Sequence, residues 1–515
     1  MNNEVMAIEL KQISKSFGPV VANAGIDLSV RQGEILALLG ENGSGKTTLM
    51  NMLSGIYKPD SGSIFINGKS VVINSPKAAI RLGIGMIHQH FKLVESMTAA
   101  DNIIMGSRQK GIFLKKSRAE KIRSISRRFG LEIDPTKKIH EMSVSEKQTV
   151  EILKVLYRNA KILILDEPTA VLTPQETRRL FDILMRMKQE GCAIIIITHK
   201  LNEVMEISDR VTILRKGQSI ATVNTAETNI KELTELMVGR PVELSINRPE
   251  PEYNETLLEV HHLTVADEEG FETIKDISFN LKKGEILGVA GVAGSGQKEL
   301  CEAIAGLLPV KKGAILYNKE NLIGKSPKEI IDLGISMSFI PEDRLGMGLA
   351  ASLSLVDNLL LKKYYQGRGP FVRKKEARAL AKRLIEQLDI TTPSVDTPVR
   401  KLSGGNVQKV LLGREIESDP NVLITAYPVR GLDINSSYTI YDMLNEQKKK
   451  GVAILFIGED LDVLLELCDR IMVLCHGRIT GIVDAKEVSK EKLGLLMTGA
   501  DSDRSDTACR KGETN

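Results

Sequence analysis

At 515 residues the chain exceeds what one hydrophobic core usually organises, so it predicts two or more domains. An apolar fraction of 42% and a charged fraction of 26% fit a folded globular protein, and a net charge of +4 excludes a strong field for nucleic acid or anionic lipid. The longest apolar runs are strand-length, short of the ~20 residues a membrane-spanning helix needs, and the N-terminus lacks the basic-then-apolar layout of an export signal.

In chain order, the first clear element is Ile35-Leu36-Ala37-Leu38-Leu39, a continuous apolar run that reads as a buried strand. It feeds Gly40-Glu41-Asn42-Gly43-Ser44-Gly45-Lys46-Thr47-Thr48, a complete phosphate-cradling P-loop. The glycines let backbone N–H groups turn inward onto phosphate, and the helix predicted from Thr47 onward adds its N-terminal partial positive charge. Lys46 would reach the β- and γ-phosphates, and the Thr47 hydroxyl would bind Mg²⁺. A chance glycine-rich turn is the bland alternative, weakened by the preceding strand.

Ser117 to Phe129 looks helical. Ile162-Leu163-Ile164-Leu165 is a second buried strand and ends in Asp166-Glu167, a Walker B element. Asp166 would hold Mg²⁺ through water, and Glu167 would polarise the attacking water. Ala193 to Ile197 is a third such strand. Alternating strands and helices predict an α/β fold with a mainly parallel sheet.

The scaffold then recurs. Gly33-Glu34-Ile35-Leu36 returns 251 residues later as Gly284-Glu285-Ile286-Leu287, and Asp209-Arg210 returns 260 residues later as Asp469-Arg470. That is domain duplication with altered loop lengths, not a solenoid repeat. Pro241, Pro249 and Pro251 mark the join, so the expected boundaries are 7–243, a linker over 244–256, 257–500, and a disordered polar tail over 501–515. The second half predicts a helix over Arg373 to Leu388. Cys192, Cys301, Cys468, Cys475 and Cys509 form no CxxC pair and read as small buried hydrophobes in a reducing compartment.

Four further motifs are Phe17 in Ser14-Lys15-Ser16-Phe17, Gln89 in Ile87-His88-Gln89-His90, His199 in Thr198-His199-Lys200, and Leu402-Ser403-Gly404-Gly405-Asn406-Val407-Gln408. In this order around the P-loop and the Walker B strand, they make nearly the whole chain resemble the ATPase subunits of ABC transporters, whose signature is LSGGQ-like. The resemblance implies two tandem P-loop NTPase domains, each with a helical subdomain. It implies that Phe17 stacks on adenine, that Gln89 touches Mg²⁺ or the water and faces a membrane partner, and that His199 contacts the γ-phosphate. It also implies head-to-tail docking, in which each ATP lies between one cassette's P-loop and the other's signature.

Scored that way, one composite site is complete: Lys46, Thr47, Gln89, Asp166, Glu167 and His199 with Ser403, Gly404 and Gly405. The other is stripped. Gln297 stands for the lysine and Lys298 for the Mg²⁺-binding hydroxyl; Ala426 and Tyr427 stand for the two acids, and Glu459 for the histidine. Its partner signature, Met142-Ser143-Val144-Ser145-Glu146, has lost both glycines and brings an anionic side chain near where phosphate would sit. This site is expected at most to hold nucleotide.

A double cassette without membrane spans resembles the importers of simple sugars and nucleosides. Within that group Ile340-Pro341-Glu342-Asp343-Arg344 is informative, and the Ala-x-Pro form of Ala426-Tyr427-Pro428 resembles the branch served by basic-membrane-protein-type lipoproteins, which takes up nucleosides. The implied partners are two integral-membrane permease subunits and, indirectly, a substrate-binding lipoprotein, with the chain peripheral on the cytoplasmic side of the cell membrane. The implied cofactors are ATP and Mg²⁺. Monosaccharide import, for example of ribose or galactose, stays open as an alternative. A soluble double-cassette ATPase acting on ribosomes or DNA is the rival from another class; the short proline-bearing join and the absence of a basic stripe argue against it.

Overall fold

Ile35–Leu39, Ile162–Asp166 and Ala193–Ile197 are strands with every residue buried, which is why they read as unbroken apolar runs. Their alternation still shows in what each face touches. Leu36, Leu38, Ile162, Ile164, Ile195 and Ile197 join a core with Leu49, Met50 and Leu53, whereas Ile35, Leu163, Leu165, Ile194 and Ile196 join a core with Val150, Ile152, Leu153, Leu180 and Leu184. The sheet is thus the middle layer between two hydrophobic cores, with the P-loop helix in one and the helices Val144–Tyr157 and Pro174–Gln189 in the other.

This architecture is that of a computed structural model, which describes residues 6–88, 91–105, 114–170, 172–241, 245–267, 269–292, 294–339, 348–361, 374–430 and 432–499. The chain divides into two compact units, Met1–Glu243 and Leu244–Asn515. In the first, a six-stranded sheet runs in the order Gln218–Asn224, Arg210–Arg215, Ile35–Leu39, Ala193–Ile197, Ile162–Asp166, Ile84–Ile87. Its pairings are parallel except at the edge hairpin Arg210–Arg215 with Gln218–Asn224. A separate four-stranded antiparallel sheet, built on Met6–Phe17 and Val20–Arg31, covers the P-loop side.

The second unit repeats both sheets. Ile335–Phe339, Val422–Ala426, Ala453–Ile457, Ile286–Ala290, Arg470–Cys475 and Arg478–Asp484 form the six-stranded one, again antiparallel only at the last pair. The helices expected around 117–129 and 373–388 are Leu114–Phe129 and Lys375–Gln387. Cys192, Cys301, Cys468 and Cys475 are free and buried; Cys509 lies outside the described residues, as does the tail 501–515. Among the described residues no helix is long and apolar enough to cross a membrane.

The segment expected as a linker has no regular element from 245 to 255, yet it is fastened to the second unit. Asn445 donates to the Asn247 carbonyl, Arg248 to the carbonyls of Leu465 and Cys468, and Lys448 to that of Pro249. Lys448 is almost fully buried there, paired with Asp469 at 2.6 Å.

Candidate functional site

The first P-loop is shaped by backbone that only glycine tolerates where it turns into the helix. Gly45 has φ 95°, and a Cβ there would run into the Ala22 carbonyl. The Ser44 N–H bonds the Glu41 carbonyl at 3.1 Å, the Gly217 N–H bonds the Ser44 carbonyl at 3.2 Å, and the helix Lys46–Leu53 begins directly after Gly45. Gly40, Ser44 and Lys46 are buried; Glu41, Gly45 and Thr48 are half-buried; Asn42, Gly43 and Thr47 face outward. Lys46 folds back over the loop, donating from Nζ to the carbonyls of Gly40 at 2.6 Å and Glu41 at 2.9 Å. Burial pulls its ammonium below the usual value, against the opposing charges of Glu167, Asp166 and Glu41.

Asp166 ends its strand almost buried. Burial, with Glu167 beside it, pushes its carboxyl up to about 6, and Lys46 works in the other direction. Among the described residues no three His, Cys, Asp or Glu side chains cluster to hold a metal unaided. Glu167 takes a left-handed backbone, φ 48°, fixed by its N–H bond to the Ile197 carbonyl at 2.9 Å. Its Oε1 meets His199 Nδ1 at 3.1 Å, and that hydrogen bond is the chief reason the Glu167 carboxyl lies below its usual value. Lys46, Asp166, Glu167 and His199 are therefore brought together. Gln89 lies outside the described residues.

Phe17 ends its strand with 43% of its surface exposed, edge-on to Tyr57 at 5.1 Å between centroids. Tyr57 escaped the sequence reading, having no motif to mark it. A second missed residue is Gln148, fully enclosed, whose Nε2 donates to the Pro168 carbonyl at 2.8 Å and ties the signature helix to the segment after Glu167. Gln408 does the same for Pro428 at 2.6 Å. The common spacing, five residues after Ser143 and Ser403, is the signal that marks the pair.

The two signatures differ in a way the motifs alone misstate. Ser143 caps the helix Val144–Tyr157, and Glu146 returns to accept from the Ser143 N–H at 2.7 Å while Lys137 pairs with it at 2.8 Å. Glu146 is thus consumed by a capping box instead of projecting as a loose anion. Ser403 caps Gly404–Ile416, but Asn406 turns away to bond the Thr391 backbone. Ser403 and Gly404 are exposed, and a Cβ on Gly405 would meet only Leu432, at 3.9 Å, so packing within the unit does not demand that glycine.

The second P-loop keeps the cradle without its chemistry. Gly294 and Gly296 have φ 83° and 105°, close to 82° and 95° at Gly43 and Gly45. Gln297 Nε2 donates to the Val292 carbonyl at 3.2 Å, in the manner of Lys46 on Glu41. Tyr427 has the same strained backbone as Glu167, φ 53°, and its N–H bonds the Ile457 carbonyl at 2.8 Å. Burial pushes its phenol up to about 12, so it stays neutral. Glu459, at the histidine's place, lies 3.6 Å from Arg430. Ala293, Gly431 and the segment 340–344 lie outside the described residues.

Comparison with known proteins matches these cassettes. The ABC transporter family profile covers residues 24–170 and 274–428. The chain is 44% identical, over 96% of its length and 97% of the relative's, to the guanosine import ATP-binding protein NupO of Bacillus subtilis. It is 41% identical, over 97% and 99%, to the nucleoside import ATP-binding protein NupA of Lactococcus lactis. It is also 39% identical, over 96% and 99%, to a ribose import ATP-binding protein, RbsA 1, of Rubrobacter xylanophilus. The chain belongs to the ABC transporter family as an ATP-binding protein with two cassettes in one polypeptide.

Proposed function

We propose that the chain is the ATP-hydrolysing subunit of a nucleoside importer, with one productive ATP site built on its first P-loop. The observation that carries the site is the asymmetry of the two strand ends: Asp166 and Glu167 with His199 on one, Ala426 and Tyr427 on the other. The nucleoside assignment is supported by the relatives named for guanosine and nucleoside import; the relative named for ribose import keeps sugars as the second reading.

In this reading Lys46 leaves its two carbonyls for the β- and γ-phosphates when ATP enters. The outward Thr47 hydroxyl and the ionised Asp166 carboxylate would hold Mg²⁺, which when bound would neutralise charge on the phosphates. Glu167, ionised and held by His199, accepts the proton of the attacking water. Phe17 offers its ring to adenine, with Tyr57 at its edge. The resemblance to ABC ATPases implies that Ser403, Gly404 and Gly405 meet the γ-phosphate, and that Gln89 touches Mg²⁺ or the attacking water and faces a permease. Two permeases and a substrate-binding lipoprotein complete the importer, with this chain peripheral on the cytoplasmic side. Affinity purification of the chain from membranes should bring down two polytopic proteins, and cells lacking it should fail to take up nucleosides. Normal nucleoside uptake with defective ribose uptake would move the assignment to the sugar.

The pairing of the units has its own test. Ser143 and Ser403 are both helix N-caps, their Oγ atoms accepting from the N–H of Glu146 and Asn406. Arginine at either loses a cap, at a cost of about 1 kcal/mol. Only at Ser403 does it also fill a wall of the productive site. Ser403→Arg is therefore expected to stop ATP turnover while Ser143→Arg lowers it mildly, with similar losses in melting temperature. Greater damage from Ser143→Arg would show the pairing to be reversed.

A further inference from the structure

We propose that Lys200 is a positioning residue for ATP hydrolysis: with Thr169 and Glu203 it clasps the segment carrying His199 to the turn after Glu167, and so keeps the imidazole on the catalytic carboxylate. The inference rests on the reading of Glu167 as the general base and adds the group that holds the base and its histidine together.

Glu167 and His199 follow two paired parallel strands, Ile162–Asp166 and Ala193–Ile197. One link between the two chain ends is the His199–Glu167 contact at 3.1 Å. The second lies just beyond it on both segments. Lys200 Nζ donates to the Thr169 carbonyl at 3.0 Å and pairs with Glu203 Oε1 at 3.2 Å. The other oxygen of that carboxylate, Oε2, accepts from the Thr169 hydroxyl at 2.5 Å. The Lys200 N–H bonds the Thr198 hydroxyl at 3.1 Å, which ties the backbone across His199. One lysine and one glutamate thus hold both the carbonyl and the hydroxyl of the residue two places after the base. Thr169 is 2% exposed and the Glu203 side chain 14%, so these bonds are largely shielded from water. A lysine–glutamate pair three residues apart at a helix start ordinarily contributes little. This one also reaches a residue 31 positions earlier, through a charge-assisted bond to a carbonyl.

The second unit separates the clasp from the scaffold. The left-handed backbone at Glu167 recurs at Tyr427, the tie from Gln148 to Pro168 recurs from Gln408 to Pro428, and the helix Leu201–Ile207 recurs as Leu461–Leu467. The clasp does not recur. At the places of Thr169, Lys200 and Glu203 stand Val429, Asp460 and Val463, which supply neither the hydroxyl nor the ammonium. Asp460 instead accepts from the Asp462 N–H at 2.9 Å, within its own helix start. Strand end, kink and helix persist without the three polar residues, so the fold does not require them. They are present where an acid and a histidine must be held, and absent where Tyr427 and Glu459 stand. The His199 side chain is 60% exposed, so packing alone does not fix it, and the polar links on either side of it carry that task.

The test is steady-state hydrolysis of ATP by the assembled complex, with kcat and KM separated. Lys200→Met removes the ammonium and keeps an unbranched apolar stem. It is expected to lower kcat by about 10- to 100-fold, the scale of a small misplacement of a catalytic group, with KM for ATP within about 2-fold of the parent. Lys200→Arg, which returns a cationic donor to the Thr169 carbonyl, should recover most of the loss. Added to Glu167→Gln, Lys200→Met should cost less than about 3-fold more, because a positioning residue has nothing to position once the base is gone. A lysine that only stabilised the fold would multiply the two losses. Normal kcat in Lys200→Met, a loss confined to KM, no recovery with Lys200→Arg, or full multiplication in the double variant would each overturn the proposal. Near-normal hydrolysis by Glu167→Gln alone would instead overturn the general-base reading, so the two failures are read on different chains.

Discussion

Glu167→Gln is expected to leave ATP binding intact and to cut turnover by about 10²- to 10⁴-fold, the usual contribution of a positioned general base. The amide copies the shape of the carboxylate, and its oxygen still accepts from His199 Nδ1, so the 3.1 Å contact and the strained backbone at φ 48° have no reason to change. What disappears is the ability to take a proton from water. Removing that charge also lets the Asp166 carboxyl fall, because Glu167 is one of the two causes that raise it. Metal-supported ATP binding should therefore tighten, and ATP should be trapped. Tyr427→Phe, at the matching strand end of the second unit, is expected to change turnover little. The measurement is single-turnover hydrolysis of labelled ATP by the assembled complex. Near-normal hydrolysis in Glu167→Gln would remove Glu167 from the catalytic role.

The parallel strands and the first P-loop were legible because their physics is local. A strand buried on both faces must be apolar throughout, and a loop that wraps phosphate must carry glycine where φ turns positive. The antiparallel sheet was not legible. In Met6–Phe17 the in–out alternation breaks at Gln12, φ 53°, where the pairing slips between Leu10 and Ile13, so period-two reading loses its phase. Tyr57 escaped because its role depends on a partner 40 residues away. Glu146 was misjudged for a different reason. Ser143-Val144-Ser145-Glu146 is itself a capping-box pattern, and alignment to a phosphate-binding signature hid the local hydrogen bonds that the pattern states.

The retained strain at Tyr427 separates scaffold from chemistry. Glu167 and Tyr427 share a left-handed backbone and the same N–H bond to the neighbouring strand, although one is an acid and the other a neutral phenol. The kink therefore belongs to the turn between strand and helix, held from behind by Gln148 and Gln408 on Pro168 and Pro428. The carboxylate uses a geometry that exists without it. Losing the acid in the second unit has left the frame standing, which is what a chain needs if that unit must still present Ser403, Gly404 and Gly405.

Lys46→Ala is expected to abolish transport. Its ammonium closes on the carbonyls of Gly40 and Glu41, so the variant loses that clasp as well as the phosphate contact. It also takes from Asp166 and Glu167 a buried cation that holds both carboxyls down, and the Asp166 carboxyl, already near 6, should rise further. Protonation there would weaken the hold on Mg²⁺ just when the phosphates have lost their lysine, so the two effects compound. A loss of at least about 10²-fold in turnover follows from removing one preorganised charge at a phosphoryl-transfer site. Restoring Gln297→Lys, Lys298→Thr, Ala426→Asp and Tyr427→Glu in the second unit is not needed for uptake and should not rescue Lys46→Ala unless the first signature, closed by Glu146 on Ser143, is opened too. Uptake of labelled nucleoside by cells carrying only the variant chain reads the outcome, and uptake that persists in Lys46→Ala would remove the first P-loop as the driving site.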